Sequence, residues 1–226
     1  MIFISRALNL VKKYGAVVVA PNYRLAPKYK YPNALEDCYE TLKYIKNNSD
    51  ELEINSSQIM VGGESAGGGL AAALCIYARD KKEVNIAYQM PIYPMLDCYD
   101  TESSRNNTSP IWKTKRNHLA WKMYLGDILN KEVPPYASPS REKNYKFLPP
   151  AYTFVGDIEP FYIETITYIE NLKKAGIEAH VDVYKNCFHS FDLWLPLKKE
   201  SKEAIKNFEN HYLYASENYY NPQNDD

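Results

Sequence analysis

A glycine-rich segment, VGGESAGGG at residues 61–69, constrains the fold of this chain more than any other feature. It lies between a short apolar run and a segment of helical periodicity, and it contains the pattern G-x-S-x-G at Gly63, Ser65 and Gly67. In this context the pattern predicts a sharp strand-to-helix turn that lifts the serine hydroxyl above a sheet. We expect glycine on both sides of Ser65 because a Cβ there would collide with the neighbouring strand or helix. The segment therefore predicts a serine nucleophile at the end of a strand.

Short β-branched or aromatic runs alternate with longer segments of helical periodicity along most of the chain. This alternation is typical of parallel strands joined by crossover helices. The predicted strands are residues 16–20, 58–62, 86–92, 151–155 and 179–184. The predicted helices are residues 34–47, 67–79, 162–175 and 199–216. Right-handed crossovers then build a three-layer α/β sandwich with a mainly parallel sheet.

Residues 96–150 interrupt this alternation. They are rich in Asn, Ser and Pro and contain one further helical stretch at residues 111–129. We interpret residues of about 97–135 as a small helical cap or lid inserted into a single domain that spans residues 1–226.

Composition excludes several classes of function. The chain has 27 basic and 28 acidic side chains, a formal net charge of -1, so it lacks the positive charge that favours nucleic acid or an anionic membrane. No apolar run approaches the ~20 residues that a membrane span requires. The four cysteines have no paired short spacing, which predicts buried free thiols in a reducing compartment and no structural metal. We expect a cytoplasmic protein with no cofactor.

A serine nucleophile requires a base within hydrogen-bond reach and a carboxylate that orients the base. Three of the four histidines fall within the predicted cap, the last strand or the last helix; they are His118, His180 and His211. His189 instead follows the last predicted strand on a loop, where it can reach the serine. It is the expected base.

Two carboxylates follow the penultimate strand, at Asp157 and Glu159 in the segment GDIEP. Composition alone does not choose between them as the orienting acid. Ala66 begins the helix after the serine, so its amide is the expected donor to an oxyanion. Glu64, beside the nucleophile, is expected to make a structural hydrogen bond.

Several segments together resemble the hormone-sensitive-lipase-like esterases of the α/β-hydrolase superfamily, in the same order and over nearly the whole chain. They are YRLAP (23–27) within residues 17–45, VGGESAGGGLAAAL (61–74), YPMLD (93–97), YASP (136–139), LPPAYTFVGDIEPF (148–161) and CFHSFD (187–192). In that family the catalytic acid stands directly before a proline. The resemblance thus implies Glu159 as the acid, with Asp157 as the alternative. The family's His-Gly-Phe is His189-Ser190-Phe191 here, and serine resists positive φ.

One family segment has no counterpart in this chain. The family carries a His-Gly-Gly-Gly type segment upstream of YRLAP, and its amides form most of the oxyanion hole; nothing before Tyr23 matches it. The resemblance implies that the chain opens within the following helix, without the first three strands and part of the cap. One missing strand would lie between 16–20 and 58–62. We expect these two to close up, another chain to fill the gap, or the natural protein to have an upstream part.

The resulting hypothesis is a serine carboxylesterase that hydrolyses short- to medium-chain carboxylic esters through an acyl-enzyme, with Ser65, His189 and Glu159 as a triad. Tyr93, Trp112 and Trp121 are candidates for an acyl pocket or lid, with a place in the core as the alternative for each. A second hypothesis is a catalytically impaired, truncated hydrolase that acts as a binding module or is an inactive fragment. A peptidase or another acyl hydrolase is the third. An exposed sheet edge would favour a homo-oligomer.

Overall fold

The computed structural model describes residues 5–223, which form four strands and seven α-helices. The strands are β1 (Met60–Glu64), β2 (Tyr88–Ile92), β3 (Ala151–Gly156) and β4 (Ala179–Tyr184). The helices are α1 (Ser5–Tyr14), α2 (Asn33–Asn47), α3 (Ala66–Lys81), α4 (Thr114–Leu125), α5 (Tyr162–Lys174), α6 (Phe191–Trp194) and α7 (Lys199–Asn218). Short 3₁₀ helices lie at Ser56–Gln58, Gly126–Asn130 and Pro139–Arg141. Residues 1–4 and 224–226 of the single predicted domain lie outside the described part.

The four strands form one parallel sheet in the order β1-β2-β3-β4. Met60 is opposite Tyr88 in the first pair of strands, and Ala151 is opposite Ala179 in the last. All four carboxyl ends therefore meet at one edge of the sheet, where open α/β sheets bind their ligands. The predicted α/β class is confirmed.

Helices cover both faces of this sheet. On one face α2, α3 and α5 bury a cluster that includes Leu42 and Leu172. On the other face Phe154 of β3 and Phe208 of α7 belong to a second cluster, against which Leu10 of α1 packs. Successive residues of a strand point to opposite faces, so each strand supplies both clusters. The three-layer sandwich follows from this arrangement.

The predicted strand at residues 16–20 is wrong. This segment is irregular, and the side chains of Val17, Val18 and Val19 are 52%, 39% and 41% exposed. In the part of the chain that is described, β1 pairs with β2 only, and no strand lies along its other edge. β-branched residues favour a strand only where a neighbour supplies hydrogen bonds and packing. Residues 16–20 and β1 are therefore not paired as neighbouring strands, which was one of the three expectations.

Two other predicted elements begin at the wrong residue. The strand predicted at 58–62 begins at Met60, because Ser56–Gln58 forms a 3₁₀ helix, in which the side chain of Asn55 accepts from the amide of Ser57. The helix predicted at 111–129 begins only at Thr114, since Ile111 has a positive φ of 67°. The other predicted helices and strands agree with the structure to within two residues at each end.

The states of the four cysteines agree with the prediction. All four cysteines are buried free thiols, as predicted. None of the helices described is both long enough and apolar enough to cross a membrane.

Two histidines stack at the β4 edge of the sheet. The His211 ring lies 3.9 Å from the ring of Tyr152 and 5.1 Å from that of His180. Burial, together with the neighbouring His180, lowers the pKa of His211, while Asp182 acts in the opposite direction. The fold therefore favours the neutral form of His211.

This shift predicts a loss of stability in mild acid. The folded chain lowers the pKa of His211 below its unfolded value. The stability that the neutral His211 side chain contributes is therefore fully present above about pH 6.5 and is lost as the pH falls further. In the variant His211→Phe, which keeps the stacking but cannot be protonated, we expect Tm to fall less between about pH 7.5 and about pH 5.5 than in wild type. Thermal melts at both pH values test this.

The control variant is His118→Phe on α4, where the histidine is exposed and paired with Asp100. It should keep the greater part of the wild-type pH dependence. Equal slopes for wild type and His211→Phe would contradict the assignment.

Candidate active site

Ser65 lies at the junction of β1 and α3, in the sharp turn that the sequence predicts. Its backbone has φ 58° and ψ −120°, a strained conformation for an L-residue. The Ser65 amide donates to the carbonyl of Ile92, and the Ser65 carbonyl accepts from the amides of Gly69 and Met95, each at 3.0 Å. These three hydrogen bonds fix the turn between β1, β2 and α3.

A Cβ collision was expected at both Gly63 and Gly67, but the structure shows it at Gly63 only. A Cβ at Gly63 would lie 2.3 Å from the carbonyl oxygen of Gly67, so glycine is required there. At Gly67 the expected collision with a neighbouring strand or helix is wrong: beyond its chain neighbours and the nearby backbone of α3, a Cβ would meet no described heavy atom within 4 Å. Gly69 is equally constrained, with a Cβ position 2.0 Å from the Met95 carbonyl oxygen. Sequence reasoning missed its role, although the run of three glycines was the available signal.

The structure brings Ser65, His189 and Glu159 together. The Ser65 Oγ lies 2.9 Å from His189 Nε2, and His189 Nδ1 hydrogen bonds to Glu159 Oε2. The second carboxylate oxygen, Oε1, accepts from the amide of Gly156 at 3.1 Å. The Glu159 side chain is fully buried and that of His189 nearly so. A hydrogen-bonded chain thus runs from the carboxylate through the imidazole to the hydroxyl.

Asp157, the alternative acid, is placed elsewhere. Its Oδ1 accepts from the amide of Asn186 at 2.6 Å, so it holds the turn that follows β4.

Gly156 lets the loops after β3 and β4 approach each other, since a Cβ there would lie 2.0 Å from the carbonyl oxygen of Cys187. Ser190 adopts the left-handed conformation, with φ 60°, in spite of its side chain.

Three aromatic side chains hold the His189 ring. Tyr93 and Phe161 each contact it edge-on with centroids 5.0 Å away, and the Trp112 ring is 6.1 Å away. Tyr93 is completely buried beneath the ring. Sequence analysis did not select Phe161, and its place directly after Glu159-Pro160 was the only available signal.

An apolar cavity of about 440 Å³ lies between α3 and α4. Ala66 lines it, so the cavity reaches the residue next to Ser65, and its walls include Leu70, Met95, Trp112 and Trp121. Residues predicted as a cap, those of α4, thus form one wall. The Ala66 amide belongs to the first turn of α3, where a helix has no acceptor for its N–H groups. The Ala66 amide therefore has no acceptor within α3.

Arg6 of α1 joins two carboxylates beside the serine and the histidine. Its Nε donates to Glu64 Oε1 at 2.7 Å, and its Nη2 donates to Asp192 Oδ2 at 2.6 Å. Burial raises the pKa of Glu64 although Arg6 opposes this, whereas the two carboxylates raise the pKa of Arg6 against the effect of its own burial. Glu64 therefore makes the structural hydrogen bond predicted for it. Sequence reasoning missed Arg6 and Asp192.

The other histidines lie away from the serine, paired with acids or stacked on rings. His118 contacts Asp100, and His180 contacts Asp182. Within residues 5–223, no three His, Cys, Asp or Glu side chains are grouped so that they could hold a metal ion.

The sequence model of a family described as the alpha/beta hydrolase fold matches residues 5–193. The chain therefore belongs to the α/β hydrolase fold family, which confirms the resemblance. Esterase LipI of Mycobacterium tuberculosis is 32% identical over 178 residues, which are 78% of this chain and 56% of LipI. The arylesterase of Saccharolobus solfataricus is 30% identical over 177 residues, 77% of this chain and 56% of that enzyme.

Solved esterase structures share the fold. The esterase LipW from Mycobacterium marinum superimposes with a TM-score of 0.87 at 29% identity, covering 93% of this chain and 67% of LipW. A bacterial heroin esterase superimposes with a TM-score of 0.82 at 34% identity, covering 85% of this chain and 62% of the heroin esterase chain. The chain spans a little over half of the length of the curated relatives, at 56% of LipI.

The two glycines of the turn should respond differently to alanine. Gly63→Ala places a Cβ against the backbone of Gly67 and should lower the free energy of unfolding by about 2 kcal/mol or more. Gly67→Ala meets no such obstruction within α3 and should be neutral, or stabilising by up to about 1 kcal/mol. Urea unfolding of the two variants measures both. Equal destabilisation would contradict the packing described.

Proposed function

We propose that this chain is a serine carboxylesterase in which Ser65 is the nucleophile, His189 the general base and Glu159 the orienting acid. The observation that carries the proposal is the hydrogen-bonded chain between the three residues, with 2.9 Å between Ser65 Oγ and His189 Nε2. The relatives named esterases support the same reaction class.

The chemistry follows from these positions. His189 Nε2 takes the Oγ proton as Ser65 attacks the ester carbonyl, and Glu159 stabilises the imidazolium that forms. The Ala66 amide donates to the oxyanion of the tetrahedral intermediate. The imidazolium then gives its proton to the departing alkoxide, which leaves an acyl-enzyme. Water activated by His189 hydrolyses the acyl-enzyme and restores Ser65.

The cavity favours short- to medium-chain acyl groups as the substrate class. Its volume of about 440 Å³ lies within the range of small-molecule sites. The apolar walls around Leu70, Met95 and Trp121 would gain free energy by burying an acyl chain. The cavity begins at Ala66, so a chain that occupies it places its carbonyl near Ser65.

The level of activity depends on the oxyanion donors. Loss of one such donor reduces turnover by about 10²- to 10³-fold. The amide of Ala66 is a donor that α3 itself provides. A chain with a complete triad but few donors would fit the alternative of a catalytically impaired hydrolase that acts as a binding module.

The decisive experiment compares wild type with Ser65→Ala on p-nitrophenyl acetate, butyrate and octanoate. We expect kcat/KM to fall by at least about 10³-fold in Ser65→Ala, because the nucleophile is removed. We expect wild type to prefer butyrate or octanoate to acetate, because the longer chains fill the cavity.

The matched control is Ser57→Ala, in the 3₁₀ helix before β1 and at the opposite end of that strand. It should retain wild-type turnover. Equal hydrolysis by wild type and Ser65→Ala would contradict the mechanism. A folded wild type that hydrolyses none of the esters would replace the esterase proposal with the binding-module alternative.

The choice of acid has its own test. Glu159→Gln should lower kcat by about 10³-fold, because a neutral amide neither holds the imidazole tautomer nor stabilises the imidazolium. Asp157→Asn, two residues earlier in the same loop, should stay within about threefold of wild type. Steady-state kinetics on the same esters decide between them. A larger loss in Asp157→Asn than in Glu159→Gln would assign the acid to Asp157.

A further inference from the structure

Arg6 spans two segments that are distant in sequence and that carry the two reacting groups. Glu64 directly precedes Ser65, and Asp192 comes three residues after His189. The guanidinium contacts the first at 2.7 Å and the second at 2.6 Å, through two different nitrogens. One rigid planar group therefore links the end of β1 to the start of α6.

The surroundings hold this guanidinium in one place. Its central carbon lies 4.6 Å from the ring centroid of Phe208 and 5.6 Å from that of Phe154. The side chain of Arg6 is 13% exposed, that of Glu64 11% and that of Asp192 0%. Tyr93 also faces the cluster and lies under the His189 ring. The charged group is thus enclosed by β1, β3, α6 and α7.

Stability alone does not account for this cluster. Moving three charges out of water is unfavourable, and well-packed apolar residues are often as stabilising or more so. Glu64 Oε2 and Asp192 Oδ1 are also buried without a hydrogen-bond partner in the described residues. What the cluster supplies, and apolar residues would not, is a directional connection between two loops.

We propose that Arg6 is a positioning residue that sets the separation of Ser65 and His189 by binding Glu64 and Asp192 together. It does not touch the reacting atoms. The inference rests on the proposed function, because the separation matters for the attack of Ser65. When the connection is lost, the loop that carries His189 relaxes and the contact between Oγ and Nε2 lengthens.

The test compares Arg6→Met, Arg6→Lys and Arg79→Met in the full chain. Arg79 is a matched control: it is also 13% exposed and also binds two carboxylates, Asp80 and Glu142, but at the C-terminal end of α3. With p-nitrophenyl butyrate, Arg6→Met should lower kcat by about 10- to 100-fold and change KM by less than about threefold, because a small misplacement of catalytic groups has effects of this size.

Arg6→Lys separates geometry from charge. Lysine keeps the positive charge but is a compact donor without the planar fork, so it should restore only part of kcat while Tm recovers to near the wild-type value. Arg79→Met should retain wild-type kcat although it also loses two ion pairs. Equal kcat values in Arg6→Met and Arg79→Met, with wild type active, would overturn the proposal.

A second measurement is independent of turnover. The hydrogen-bonded Nδ1 proton between His189 and Glu159 gives a far-downfield proton resonance, which is assigned by its disappearance in His189→Gln. It should broaden or vanish in Arg6→Met and persist in Arg79→Met. If wild type is inactive, the proposed function fails, yet this resonance still tests the positioning role. An unchanged resonance in a folded Arg6→Met protein would overturn it.

Discussion

The close approach of α3 to the ends of β1 and β2 is the constraint on which the rest of the structure depends. The Cβ positions of Gly63 and Gly69 would lie 2.3 Å and 2.0 Å from backbone carbonyl oxygens. Ser65 lies in this contact with its strained conformation, directly before the first residue of α3. A side chain at either glycine would separate the helix from the sheet and move the nucleophile with it. Backbone packing at these two glycines thus sets the turn that carries Ser65.

A second close backbone contact brings the segments that carry Glu159 and His189 together. Gly156 brings the end of β3 against the carbonyl of Cys187, so the loops that carry Glu159 and His189 share a backbone contact. The rings of Tyr93 and Phe161 then fix the plane of the imidazole. These contacts orient the imidazole, and the Arg6 connection between Glu64 and Asp192 adds a link between the segments that carry Ser65 and His189.

Local signals in the sequence predicted what local structure determines. The glycine-rich turn and the loop position of His189 each belong to a short segment whose conformation follows from its own residues. The choice of Glu159 over Asp157 was implied by the family resemblance and not by such a local signal. The valines at 17–19 show the limit of such signals. They have the propensity of a strand, but pairing is a property of two segments, and β1 pairs only with β2 in the described chain. Arg6 was missed for a similar reason, since its partners lie 58 and 186 residues away.

The irregular segment at 16–20 affects one part of the site and not the other. Ser65, Glu159 and His189 follow β1, β3 and β4, which belong to one continuous sheet with β2. Their geometry is therefore set without any contribution from the outer edge of β1. The cavity does depend on this edge of the sheet. Its lining includes Tyr23, Leu25 and Tyr29, which follow residues 16–20 in the chain. A strand along that edge would order residues 16–20 and the wall of the cavity together. The hydrogen-bonded residues and the cavity thus depend on different parts of the fold.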